Sequence, residues 1–199
     1  DMSRFMLAHL GEGSYGGGRI LDAATVREMH SRQFTHDDRL NGMAYGFVEQ
    51  DRGGVRAIGH GGATELFHSQ LLLLPEEEVG LFVSYNAPGG GAAGTAFVQA
   101  FLDRYYPGEE PPAVSPAAGA ADRTAALAGE YRSTRVPYTS WWKFAAMVQT
   151  VEVAPLDGGE LLLRSAAGEQ FGFGSTRWVE IEPNVYREAD GDGLLVFRE

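Results

Sequence analysis

Residues 107–122 read PGEEPPAVSPAAGAAD, and this run constrains the fold more than any other. It carries almost no bulky apolar side chain, so it cannot close a core, and its prolines favour an extended, solvated backbone. It is read as a linker between a segment of residues 1–106 and a segment of residues 123–199. Each segment is large enough to fold around its own core. Apolar residues make up 44% of the chain, which supplies both cores and argues against wholesale disorder.

Charge and composition remove several classes of function. A net charge of -11 would repel nucleic-acid phosphates rather than neutralise them, so no nucleic-acid partner is expected. The chain has no cysteine, which excludes disulfides, thiolate metal sites and a cysteine nucleophile. Apolar runs such as Leu71–Leu74 are far too short to span a bilayer. No signal-peptide pattern follows Asp1, as expected of a processed or partial chain.

The first segment opens with a helical pattern, Met2, Phe5, Met6 and Leu10, followed by a glycine-rich turn. A second helix is expected from a cap at Asp22 to about His30. Strand-like stretches follow at 43–50, 55–60, 66–74 and 79–85, joined by turns that suit antiparallel hairpins. An amphipathic helix over 92–106 ends the segment. The second segment predicts a short helix near 123–127 and a strand opening at Tyr131. An aromatic helix or loop at 141–147 comes next, then short strands at 150–154, 160–164, 178–182, 185–188 and 194–198. The fold class is α+β: an antiparallel sheet flanked by helices, plus a small antiparallel β-barrel or half-barrel.

Two motifs in the first segment compete for attention. Gly11-Glu12-Gly13-Ser14-Tyr15-Gly16 matches G-x-G-x-x-G, but a phosphate cradle needs a strand before the glycines, and here a helical pattern precedes them. A flexible turn between two helices is the expectation. His60-Gly61-Gly62 instead closes the predicted strand 55–60, and the next strand begins a few residues later. The run GHGGATELFHSQLLLLPEEEVGLFVSYNA resembles the H-x-G block of serine β-lactamase-like hydrolases. That superfamily includes class C β-lactamases, penicillin-binding proteins, D-alanyl-D-alanine carboxypeptidases and esterases. The preceding DMSRFMLAHLGEGSYGGGRILDAATVREMH resembles the helical stretch ahead of that block, so the resemblance spans about the first 106 residues.

The resemblance implies that His60, Gly61, Gly62 and Ala63 form a substrate-binding wall facing the nucleophile. His60 would stand where other members carry the lysine of K-T-G, supplying a hydrogen-bonding group without a lysine's fixed charge. Gly61 and Gly62 would let substrate approach the backbone, and the Ala63 N–H would form half of the oxyanion hole. Family order runs S-x-x-K, then Y-x-N or S-x-N, then K-T-G or H-x-G. Here His60-Gly61-Gly62, Ser84-Tyr85-Asn86 and Ser140-Trp141-Trp142-Lys143 appear in reverse. Ser140 is therefore read as a decoy whose tryptophans, with Phe144 and Met147, form the packing face of a short helix. The nucleophile is expected upstream of Asp1, which makes the chain the C-terminal part of such a hydrolase, inert alone.

The run LAGEYRSTRVPYTSWWKFAAM and the strands after it resemble the lipocalin-like β extension that follows some of these hydrolases. Trp141, Trp142, Phe171, Phe173 and Trp178 could line a ligand cavity, but a barrel this small favours core packing. The other histidines, His9, His30, His36 and His68, lack metal-ligand spacing, and Asp190-Gly191-Asp192-Gly193 reads as a hairpin turn. No metal or cofactor is expected. The expected partner is a small-molecule or peptide acyl substrate of the intact parent, with self-association through the uncovered sheet face. The resemblance also implies an extracytoplasmic location and possible membrane attachment of the parent outside this chain. The alternative is a non-catalytic binding or scaffolding protein that retains the hydrolase fold.

Overall fold

Four consecutive leucines, Leu71–Leu74, suit a strand covered on both faces. The computed structural model describes every residue except 53, 65, 109–112, 135, 137, 142–143, 145–149, 166–173 and 199. It forms two compact units, Asp1–Glu110 and Pro111–Glu199.

In the first unit, helix α1 (Met2–Leu10) leads into a small hairpin of β1 (Ser14–Tyr15) and β2 (Gly18–Arg19), and then helix α2 (Ala23–His30). A four-stranded antiparallel sheet follows in the order β3 (Val48–Glu49), β4 (Ile58–Ala63), β5 (His68–Leu74), β6 (Val79–Tyr85). Helix α3 (Gly90–Tyr105) closes the unit. Alternation along β5 sends Leu71 and Leu73 to one face, where Met6, Phe47 and Ile58 complete a cluster. It sends Leu72 and Leu74 to the other face, against Ala57 and Leu102. All four leucines are buried.

Three local expectations are corrected. The glycine-rich run is not a loose turn, because Ser14 pairs with Arg19 and Tyr15 with Gly18 around Gly16-Gly17. The stretch 43–50 forms a strand only at Val48–Glu49. The buried Glu49 carboxylate accepts hydrogen bonds from Arg32 Nε at 2.7 Å and the Gly42 N–H at 2.8 Å, folding the chain back on itself. The third correction is to the strand expected to end at His60: β4 runs on to Ala63. His60-Gly61-Gly62 thus lies within a strand and not in a connection.

Gly59 shows how tightly β4 and β5 approach. A methyl group there would run into the Leu71 carbonyl oxygen and lie 2.6 Å from Gln50 Nε2. Gly59→Ala is expected to lower stability by about 1–3 kcal/mol, the usual cost of overpacking. An unchanged denaturation midpoint would contradict that tightness.

The second unit is a six-stranded antiparallel meander, in the spatial order β12 to β7, curled into a half-barrel. Helix α4 (Ala120–Ala126) precedes β7 (Gly129–Arg132), β8 (Thr150–Leu156), β9 (Glu160–Ser165), β10 (Ser175–Glu182), β11 (Val185–Glu188) and β12 (Leu194–Val196). Val153, Leu161 and Tyr186 form its core, with Trp178 and Phe197 packed against them. The Ala117 N–H donates to the Glu180 carbonyl at 2.8 Å, and Arg123 holds the buried Glu180 carboxylate through Nε and Nη2. These bonds fasten α4 and the residues before it onto β10.

Of the aromatic residues named from sequence, Trp178 packs in this core and donates from Nε1 to Thr176 Oγ1 at 2.7 Å. Trp141 and Phe144 are 67% and 63% exposed, so these two do not form the expected packing face. The pattern that suggested it spans only about two turns, too short to fix which side meets the core. Trp142, Lys143, Met147, Phe171 and Phe173 lie outside the described residues.

Candidate functional site

The register of the sheet decides what each residue of the His60–Ala63 run can present. His60 pairs with Leu71, Gly61 with Gln70, Gly62 with Ser69 and Ala63 with His68. Side chains alternate across a strand, so His60 and Gly62 share a face with Ser69, Leu71, Phe82 and Ser84. α1 and α2 cover only part of this face. The rest opens into a cleft of about 560 Å³.

Backbone direction follows from the same alternation. The Thr64 N–H donates to the Phe67 carbonyl at 2.8 Å, which fixes Thr64 as a hydrogen-bonded partner of Phe67. In an antiparallel ladder, Gly62 and His60 then also bond across to β5, while Ala63 and Gly61 point their N–H and C=O groups the other way. On that other side β3 reaches only as far as the Val48–Gly59 pair. The peptide groups of Gly61 and Ala63 therefore face an open strand edge. The cleft face carries the imidazole, and the edge carries the amides.

A Cβ at Gly62 would lie 2.7 Å from Ser69 Oγ, so a side chain there would require that hydroxyl to turn away.

The cleft wall is apolar over most of its extent. Met2 and Phe5 come from α1, Met29 from α2, Ile20 and Leu21 from the turn between β2 and α2, and Phe47, Leu71 and Phe82 from the sheet side. His60 and Ser69 contribute polar side chains, and His9 lines the cleft from α1. Sequence spacing gave no hint of Ser69 or Phe82, because only the strand register brings them beside His60.

His9 and His30, which show no ligand spacing in sequence, meet in space. His9 Nδ1 and His30 Nε2 are 3.1 Å apart, and both residues are buried. One neutral imidazole donates and the other accepts. The pair stands edge-on against Phe47. The His30 carbonyl accepts from Arg56 Nη2, and Arg56 Nη1 lies 3.4 Å from Glu76 Oε1. Burial pushes His30 down to about 4, helped by the neighbouring His9 and Arg56 and opposed by Glu76. Burial also lowers His9. The pair therefore supports the cleft in its neutral form.

Elsewhere, Ser84 ends up on the cleft-side face near the end of β6. Ser140 sits in a bend of the second unit. Among the described residues, no group of three or more His, Asp or Glu could hold a metal ion, and no helix is long and apolar enough to cross a membrane.

Comparison with known proteins gives one family and several structures. The Beta-lactamase family model matches residues 1–103. The search of curated proteins gives no match. The octameric penicillin-binding protein homologue from Pyrococcus abyssi is similar at 16% identity and a TM-score of 0.45, over 94% of this chain and 39% of that one. SurE with D-Leu is similar at 18% identity and a TM-score of 0.46, over 86% of this chain and 36% of that one. A second structure of SurE gives 16% identity and a TM-score of 0.46 over the same shares. The chain spans 36–39% of the length of these structures. With half of its length accounted for by the family model, and its α+β sheet carrying the histidine–glycine strand, the chain belongs to the Beta-lactamase family.

Proposed function

We propose that the chain supplies one active-site wall of a serine acyl-hydrolase whose nucleophile lies outside these 199 residues. The observation that carries this reading is the split presentation of β4 beyond the end of β3. His60 faces the cleft while the Ala63 N–H, three residues and about 10 Å further along the same strand, faces the open edge. An acyl-transfer site needs such a pair: a side chain beside the substrate, and a fixed amide donor for the oxygen that becomes negative. The intact parent would form an acyl-enzyme on an upstream serine from an amide or ester, and water would then release the acid.

The residues encoded immediately before Asp1 test this reading. An upstream S-x-x-K followed by Y-x-N or S-x-N supports it. A full reading frame without them leaves a non-catalytic binding protein as the remaining account. On the family resemblance we place the parent outside the cytoplasm, with any membrane attachment outside this chain. The uncovered sheet face is expected to drive self-association of the isolated chain. A strictly monomeric chain in sedimentation would remove that expectation.

A further inference from the structure

Residues 133–149 connect β7 to β8, and Arg132 pairs with Thr150 at their root. An ordinary hairpin needs only about two to five residues there, and connections this long usually carry a function. The hydrolase reading leaves this one unused, its Ser140-Trp141-Trp142-Lys143 run included. In the same unit Trp178, Tyr186 and Phe197 pack in the core. Tyr138, by contrast, is 74% exposed, and Trp141 and Phe144 nearly as much. Local bonds hold the backbone around these rings: the Tyr138 hydroxyl donates to the Thr134 carbonyl at 2.9 Å, and the Phe144 N–H to the Trp141 carbonyl at 3.1 Å. The charge is equally local. From Tyr131 to Val151 the sequence carries Arg132, Arg135 and Lys143 and no Asp or Glu, in a chain of net charge -11. Arg132 is exposed at the root. Amphipathic rings interleaved with cations match the headgroup layer of an anionic bilayer, where the rings leave bulk water and the cations meet lipid phosphate. A protein partner would have to desolvate the cations together with the rings, and the cores of protein interfaces are depleted of charge.

We propose that the β7–β8 connection docks the second unit on an anionic phospholipid surface, with Tyr138, Trp141 and Phe144 among the headgroups and Arg132 against lipid phosphate. The contact is reversible, and it adds to any anchor that the parent carries outside this chain, since one weak signal holds a protein at a membrane only marginally. It needs no nucleophile, so it stands or fails apart from the acyl-hydrolase reading. Co-sedimentation with vesicles tests it, using phosphatidylglycerol mixed with phosphatidylcholine against phosphatidylcholine alone. The 199-residue chain is expected to bind the mixed vesicles at least about tenfold more tightly, an advantage that shrinks in high salt. A Trp141→Ala, Phe144→Ala double variant should bind the mixed vesicles about tenfold more weakly, and Arg132→Glu at least about fivefold. All three side chains are exposed, and circular dichroism checks that each variant folds. A Phe97→Ala, Tyr105→Ala variant, which removes exposed rings from α3 of the first unit, should bind like the parent chain. Absence of binding to the mixed vesicles overturns the proposal, as does equal binding to phosphatidylcholine alone. So does indifference of the folded loop variants, or an equal loss in the α3 variant. The product of the full reading frame should bind in the same way; loss of binding there would mean that the parent covers this loop, and would overturn the proposal too.

Discussion

Ala63→Pro is expected to slow acylation of the full-length parent by about 10²–10³-fold, the usual effect of losing one oxyanion donor. Proline removes a backbone N–H, and in a sheet it is tolerated only where that N–H makes no ladder bond. The alternation set by the Thr64–Phe67 bond turns the Ala63 N–H toward the open edge. The substitution therefore removes the proposed donor and spares the pairing with β5. Gly62→Pro is the contrasting control. The Gly62 N–H points into the ladder opposite Ser69, so proline there should lower the melting temperature sharply. Single-turnover acylation and thermal unfolding separate the two effects. An Ala63→Pro variant that acylates at the parent rate would contradict the assigned amide, whatever its stability.

Lowering the pH from 7 to 4 is expected to destabilise the first unit through the His9–His30 pair. Burial holds both imidazoles below their ordinary value of 6.5, His30 at about 4. The unfolded chain then takes up protons that the folded chain refuses, so stability rises with pH across that interval. The contribution is intact above about pH 6.5 and is lost progressively as the pH falls toward 4. For His30 the interval corresponds to about 3 kcal/mol, at 1.36 kcal/mol per pH unit. Arg56 and Glu76 stay close to the pair, and their opposing effects are already part of the lowered value. Urea unfolding at several pH values measures the slope. A His9→Leu, His30→Leu double variant should flatten it, and the difference from the parent chain subtracts the acid titration of carboxylates elsewhere. Equal slopes in both proteins would mean that the pair does not couple protonation to folding.

Most of the fold is legible in the sequence because its strongest signals are local. Val79–Tyr85 and Val185–Glu188 are bounded by turn residues, and the helices at 2–10 and 23–30 carry apolar periodicity with Asp22 at the second N-terminus. The region 43–50 resists such reading. Its apolar pattern is strand-like, but Glu49 finds Arg32 and Gly42 and bends the chain, a long-range event that no window of sequence contains. Gly16-Gly17 reads as loose for the opposite reason: turn composition is visible, while the Ser14–Arg19 and Tyr15–Gly18 pairing it enables is not.

The site divides along the same line. His60, Gly61, Gly62 and Ala63 stand out through motif and context. Their division of labour does not, because it depends on where β3 stops and on which rungs of the β4–β5 ladder carry hydrogen bonds. Ser69, Phe82 and the His9–His30 contact are matters of register and packing between elements far apart in the chain.

Fluorophosphonate labelling with mass-spectrometric mapping tests the central claim most directly. It would be applied to the 199-residue chain and to the product of its full reading frame under the same conditions. The expected result is one labelled serine upstream of Asp1 in the longer protein and no labelled serine in the shorter one. Stoichiometric labelling of the shorter chain, at Ser140 or at Ser84, would contradict the account, because the nucleophile would then lie within the residues that are assigned only a supporting wall.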